Sequence, residues 1–357
     1  RLKADVICYS AVMSACEKGG QWQLALGLLS RMPAVGLPPD EISYTACIKA
    51  CERAGEWQQA LGIATAMRDR ELEPTGIMWG SVLSSVGKAG CSGEVLNILE
   101  QLRTIWARGA EAAPDLAPRR GGGPAAARPS PLSRLQVVLQ APGVVALFKP
   151  AGTTSQQLRD DLSAALRAQG LPGDAVFASR LDAPTSGVMP LALGGERSGA
   201  AHWLRAQFAA RQVSKEYLCL CAGQPLGPVG SQEEIDMPLL SAEGKKVVPS
   251  PLGKPARTRY QVLEEFSSSE GDSVAMLLLV RPQTGRQHQI RVHLASIGRP
   301  LVGDDVYGGI SDFSGVHCPR LFLHCKRLSL VDLAGARFEP QAPVPDDLLQ
   351  VLSSLRG

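Results

Sequence analysis

Three short segments of this 357-residue chain set polar and charged side chains among apolar ones in a way that suits chemistry better than packing. The first, SRLDAPTSGVMPLAL, places Arg180, Asp182, Thr185, Ser186 and Gly187 ahead of an apolar run. The second, KEYLCLCAG, carries Lys215 and Tyr217 at the entrance of another. The third, RPQTGRQHQIRVHLASIGRPLVGDDVYG, gathers Arg286, His288, Gln289, Arg291 and His293 and closes on Gly303-Asp304. A dense polar and basic cluster ahead of a helix suits a site that holds an anion or a polar substrate. Each piece taken alone has a plainer reading. An Asp before a Thr-Ser-Gly turn caps a loop, and a lone Arg286 makes a surface ion pair. No Cys or carboxylate completes a metal-ligand set around His288 and His293.

The elements that must hold these segments mix strand and helix. Val144–Phe148 is a short apolar run leading into KPAG at Lys149–Gly152. Tyr217–Cys221 reads as a strand, and Thr258–Phe266 and Val274–Arg281 flank SSSEGDS as a hairpin. VAMLLLV is apolar throughout, as expected of a strand buried on both faces. Ala200, Leu204 and Phe208 recur at helical spacing and predict a helix over Ala200–Val213, packed on a sheet. Pro190 within VMPLALGG is unfavourable in a strand unless it lies at an edge or bulge.

The N-terminal part repeats itself. One offset of 35 residues relates Asp5 to Asp40, Tyr9 to Tyr44, Cys16 to Cys51, Trp22 to Trp57 and Met32 to Met67. A weaker third copy runs through Trp79, Val86, Gly90, Leu96 and Leu102. A period in the mid-thirties predicts stacked helical hairpins. In the second copy, helices are expected over Ile42–Arg53 and Glu56–Arg70, separated at Ala54-Gly55. Trp22 and Trp57 read as inter-helix core, and Cys16 and Cys51 as small packed residues.

Between these halves, composition changes. Residues 110–134 are rich in Pro, Gly, Ala and Arg and lack apolar periodicity, so they read as a flexible linker. The expected domains are therefore 1–109, the linker 110–134, and 135–357. Apolar residues make up 45% and charged residues 20%, which is globular composition. No run of apolar residues is long enough for a membrane-spanning helix. A net charge of +3 does not by itself argue for nucleic acid. Nine cysteines in a long chain read as reduced thiols rather than a secreted disulfide framework. A chain that opens on Arg1 leaves room for a lost targeting segment and for further repeats.

The phrases DVICYSAVMSACEKGGQWQLALGLLSRM and DEISYTACIKACERAGEWQQALGIATAM resemble pentatricopeptide repeats, two copies clear and one degenerate. The resemblance implies an RNA-reading α-solenoid, one base per repeat. Its base-reading pairs fall on Ser10 with Asp40 and Thr45 with Thr75, while the third, Gly80 with Ala110, offers no hydrogen-bonding side chain. The plain alternative is a protein-binding scaffold.

The C-terminal segments, taken together, resemble RluA-type pseudouridine synthases. SRLDAPTSG stands for the family's HRLDxxTSG, Lys215-Glu216-Tyr217 for KxY, and Thr284–His293 with Gly303-Asp304 for TGRxHQIRxH and GD. KPAG, GKPARTRY at Gly253–Tyr260 and RLFLH at Arg320–His324 also match. The resemblance implies a multidomain chain in which the solenoid precedes an α+β domain with a central, mainly antiparallel sheet. It implies conversion of uridine to pseudouridine in RNA, without cofactor or metal. Asp182 is then the nucleophile, attacking carbon 6 of uracil or the anomeric carbon, with both routes open. Arg286 pairs with Asp182, Tyr217 stacks on the flipped base, Arg180 fills the gap left by that base, and Leu323 lines the pocket. Lys149 and Gly303-Asp304 are expected to be structural, and His288 and His293 structural or RNA-backbone residues. The expected partner is a uridine-containing RNA, whether tRNA, rRNA or organellar transcript, with no membrane and no obligatory protein partner. The repeats favour a mitochondrion or plastid, with cytoplasm or nucleus left open. Two other functions compete: an RNA-binding adaptor with an inactive synthase domain, and a repeat-guided nuclease, which would need acidic metal ligands.

Overall fold

The computed structural model describes residues 5–70, 72–108, 135–168, 170, 173–241, 246–267 and 274–357. The 110–134 linker, Ala110 and the hairpin tip at 268–273 lie outside these residues. The chain divides into two compact units. One comprises Arg1–Ala112, Leu193–Gln212 and Leu333–Gly335, the other Ala113–Ala192, Val213–Asp332 and Ala336–Gly357.

The first unit opens with helices α1 (Val6–Gly19), α2 (Trp22–Ala34), α3 (Glu41–Ala54), α4 (Trp57–Arg68), α5 (Gly76–Lys88) and α6 (Ser92–Arg108). The repeat register is set by caps. Asp5, Asp40 and Thr75 each stand before the first helix of a hairpin and accept the backbone N–H of Cys8, Ser43 and Met78. Gly20 and Gly55, in the left-handed region, end α1 and α3 and turn the chain into the second helix. Small and flexible side chains fill the space between helices: Met13, Ala25, Met32, Cys47, Cys51, Ala60 and Ala64 are fully buried. Cys16 and Cys51 are packed as expected, whereas Trp22 and Trp57 are only half-buried.

After the linker come β1 (Val137–Ala141), β2 (Val144–Lys149), α7 (Ser155–Ala168), β3 (Ala175–Phe177), β4 (Ser186–Leu193) and α8 (Gly199–Ala209). Then follow β5 (Ser214–Gly223), β6 (Gln232–Asp236), β7 (Leu239–Leu240), β8 (Val248–Pro249), β9 (Arg257–Ser267), β10 (Val274–Pro282) and α9 (Gln289–Ser296). The chain closes with β11 (Asp312–Phe313), β12 (Val316–His317), β13 (Leu323–Val331), β14 (Arg337–Phe338) and α10 (Asp346–Arg356). Helix α8 is shorter than its apolar spacing suggested, because Arg211 takes a positive φ of 57° just beyond it. Within its compact unit its partners are the helices α5 and α6.

The main sheet runs β1-β2-β4-β13-β5-β10-β9-β6, with β14 on β13 and β3 on β4. Neighbours pair antiparallel along it except β13 with β4, which meet in parallel at His324–Ser186 and Cys325–Gly187. That brief ladder accommodates Pro190, which pairs with Ala146 of β2 and lies beyond the residues that β13 reaches. Alternation gives the central strands two apolar faces. Leu218, Leu220 and Ala222 of β5 join Phe322, Leu277 and the α10 residues Leu348, Val351 and Leu352 in one core. Tyr217 and Cys219 therefore point to the other face, opposite Cys325 and Leu323 of β13. All nine cysteines are free thiols. Among the described residues no helix is long and apolar enough to cross a membrane.

Candidate active site

Asp182 sits on the turn between β3 and β4, and that turn is tied from below. Lys149, at the end of β2 and fully buried, donates to the carbonyls of Pro150 (2.9 Å), Ala183 (3.1 Å) and Thr185 (2.7 Å). One ammonium thus uses two of its three donors to hold the backbone on the C-terminal side of Asp182. Ser155 holds the other side through Leu181, and the Thr185 N–H closes the turn on the Asp182 carbonyl. Burial pulls the Lys149 ammonium down to about 8, with Asp182 acting in the opposite direction. Gly187 ends the turn at φ 129°, where β4 meets β13. A β-carbon there would stand 2.3 Å from the Cys325 carbonyl oxygen, so no larger residue fits.

The cation facing Asp182 is Arg291. Its Nη1 lies 3.7 Å from Asp182 Oδ2, and His288 Nε2 lies 3.9 Å from Oδ1. Arg291 is itself fixed by a two-pronged pair with Asp304, Nε–Oδ2 at 2.8 Å and Nη2–Oδ1 at 2.7 Å. Burial works against the guanidinium charge, but Asp304 and Asp182 outweigh it and hold Arg291 above its ordinary value. The Gly-Asp turn is therefore the brace of a buried arginine. Tyr307 completes the wall: its hydroxyl meets His288 Nδ1 at 2.9 Å, and the Arg291 guanidinium lies 5.1 Å from its ring centre. Burial pushes the His288 imidazole down.

The loop ahead of α9 is stitched to β9 by one side chain. Gln289 Oε1 accepts from Thr284 Oγ1 and the Arg286 N–H, while its Nε2 donates to the Arg257 carbonyl and Thr258 Oγ1. His293, buried between Thr258 Oγ1 (2.8 Å) and the Met237 carbonyl (3.0 Å), supports the same strand. Its role here is structural. Arg286, assigned above to Asp182, is placed differently. Its backbone is held by Gln289, and its Nε donates to the Pro255 carbonyl at 3.0 Å. Arg291, on the first turn of α9 with apolar Ile290 and Val292 beside it, faces inward instead. That flanking pair is the signal in the sequence: an arginine within a helix whose neighbours are apolar needs a buried partner.

Tyr217 is buried, with Cys325 opposite it in the ladder. Burial first, then Cys325 and Asp182, push its phenol well above the ordinary value. The hydroxyl therefore stays protonated at neutral pH. Leu323 is buried on the same face, opposite Cys219. Arg180 is exposed on the turn before Asp182. In the repeats, Ser10 and Asp40 do come together: Ser10 Oγ lies 3.5 Å from Asp40 Oδ1 and 3.0 Å from Ser43 Oγ. Thr45 Oγ1 donates back to the Glu41 carbonyl, and Thr75 caps α5. Among the described residues no three His, Cys, Asp or Glu side chains converge as metal ligands.

His324 supports the turn from β13, with Nδ1 at 3.0 Å from Ser186 Oγ and Nε2 at 3.3 Å from the Ala342 carbonyl. Burial drops this imidazole from 6.5 to about 4. Because the unfolded chain then takes up the proton first, the stabilisation is fully present above the unfolded value and is lost as pH falls through the folded one. At 1.36 kcal/mol per unit this amounts to about 3 kcal/mol. Urea unfolding near neutrality and near pH ~4 should show that loss in the native sequence and a shallower one in His324→Asn. Equal acid losses would refute the assignment.

Known proteins resemble this chain in both of its parts. A family model described as RNA pseudouridylate synthase matches residues 143–296. Ribosomal large subunit pseudouridine synthase C of Vibrio vulnificus is 34% identical over 231 residues, covering 62% of this chain and 69% of that protein. Ribosomal large subunit pseudouridine synthase D of Nitrosomonas europaea is 37% identical over 188 residues, half of each chain. The solved structure of Human RNA Pseudouridylate Synthase Domain Containing 4 is 26% identical with a TM-score of 0.49, covering 63% of this chain and 94% of that one. The chain belongs to the RNA pseudouridine synthase family, of the RluA type. In it the synthase fold is joined to pentatricopeptide repeats: residues 4–53 match the PPR repeat family and 42–72 a PPR repeat.

Proposed function

We propose that this chain isomerises uridine to pseudouridine in RNA, with Asp182 as the nucleophile and the first two repeats contributing RNA contacts. The observation that carries the reading is the Asp182 carboxylate, partly open to solvent, 3.7 Å from an arginine that is itself locked onto Asp304. A carboxylate so placed is aimed by its cationic neighbour, while the exposed side of the turn leaves room for a flipped nucleotide. In the reaction the bond from ribose to nitrogen 1 breaks, a bond from ribose to carbon 5 forms, carbon 5 loses its hydrogen, and nitrogen 1 gains one. Asp182 adds and leaves again by either route. The protonated Tyr217 offers a stacking face and a hydroxyl donor, and Leu323 an apolar wall. Arg180, exposed before Asp182, is the proposed residue to fill the gap that the flipped base leaves in the RNA. Ser10 with Asp40, and Thr45 with Thr75, are the proposed base contacts of the repeats.

The test is release of tritium from carbon-5-labelled uridine in RNA by the purified full chain, with chelator present. The relatives' names make ribosomal RNA the first substrate to try, followed by tRNA and organellar transcripts. Release with matching appearance of pseudouridine is expected, unaffected by the chelator. RNA binding without release would instead establish an adaptor.

A further inference from the structure

We propose that the third helical hairpin is a docking platform for helix α8, not a nucleotide reader. Helix α5 opens on Gly76 and carries Gly80 one turn further in, where glycine is disfavoured. The space beside them is taken. A β-carbon on Gly76 would stand 2.8 Å from His202 Cδ2 and 3.2 Å from its Cα, and one on Gly80 would touch the Ala209 β-carbon at 3.4 Å. From the other side, a β-carbon on Gly199 of α8 would lie 2.5 Å from the Trp106 carbonyl oxygen of α6. The Trp106 ring meets the His202 ring edge-on with centres 5.5 Å apart. A second clasp lies nearby, where Arg103 of α6 donates to the Leu333 carbonyl at 3.2 Å.

The register gives this packing its meaning. Ser10, Thr45 and Gly80 occupy equivalent positions, each following the aromatic Tyr9, Tyr44 or Trp79. The first two hairpins present a hydroxyl there, while the third presents bare backbone with α8 laid against it. The docked helix is continuous in the chain with β4, which follows the Asp182 turn, and with β5, which carries Tyr217. The inference rests on this packing and not on the proposed activity.

Hydrogen exchange of the α8 amides in the full chain tests it. Gly80→Leu and Gly199→Ala should each speed exchange in α8 by about tenfold or more. Gly87→Ala, on the same stripe of α5 but with nothing within 4 Å of its β-carbon position, should leave it unchanged. Gly80→Asn tests the reading role by installing an amide at the equivalent position, and no new base preference is expected in a panel of short RNAs. Unchanged α8 exchange in both Gly80→Leu and Gly199→Ala would overturn the proposal. So would a base preference acquired by Gly80→Asn while α8 stays protected.

Discussion

Asp182→Asn is expected to lower tritium release from uridine in RNA by about three orders of magnitude or more, with the fold intact. The amide keeps the shape of the carboxylate but cannot act as the nucleophile. Structural cost should be small, because nothing that holds the turn depends on this side chain. Lys149 grips carbonyls of Pro150, Ala183 and Thr185, and Ser155 grips Leu181. Arg291 keeps its two-pronged pair with Asp304, so the substitution orphans no buried cation. Thermal unfolding should therefore shift by no more than a surface substitution would, about 0.5 kcal/mol. Near-normal turnover by the purified variant would remove Asp182 from the mechanism.

Arg291→Ala should lower both activity and stability far more than Arg286→Ala does. The first variant leaves the Asp304 carboxylate buried without its partner, at a cost of about 3–5 kcal/mol, and takes away the cation nearest Asp182. Since that variant could fail to fold, Arg291→Lys is the sharper probe. It retains the positive charge but cannot span both Asp304 oxygens and Asp182 at once. We expect Arg291→Lys to fold, with kcat reduced by about a hundredfold or more and RNA affinity nearly unchanged. For Arg286→Ala, whose Nε contact is to the Pro255 carbonyl, a reduction below about tenfold is expected. The opposite order, Arg286→Ala inactive and Arg291→Lys close to normal, would return Arg286 to the role that its place in the motif implied.

Much was legible from local pattern. The 35-residue register follows from caps and apolar spacing within each hairpin, and the caps Asp5, Asp40 and Thr75 appear where the repeat begins. The β9–β10 hairpin and the β2 and β5 strands fall on the apolar runs that announced them. Those features depend on residues close in sequence, so a one-dimensional reading captures them. Asp182 and Tyr217 stand out in the sequence because polar side chains at the edge of apolar strands are conspicuous without any knowledge of their neighbours.

What the amino-acid order determined by itself, then, was the repeat period, the strand content and the residues fit for chemistry. Tertiary structure decided which of those residues face one another. The motif implies Arg286 as the partner of Asp182, whereas Arg291 lies beside it in the fold, which rests on where α9 starts and on Asp304, thirteen residues later, meeting Arg291 from a separate turn. The grip of Lys149 on the Asp182 turn spans more than thirty residues between strand ends. The placement of α8 with α5 and α6 could not be read from its own apolar spacing, which suits a sheet as well as a helix. In each case the deciding quantity is the distance between groups far apart in the chain, and only the folded backbone sets it.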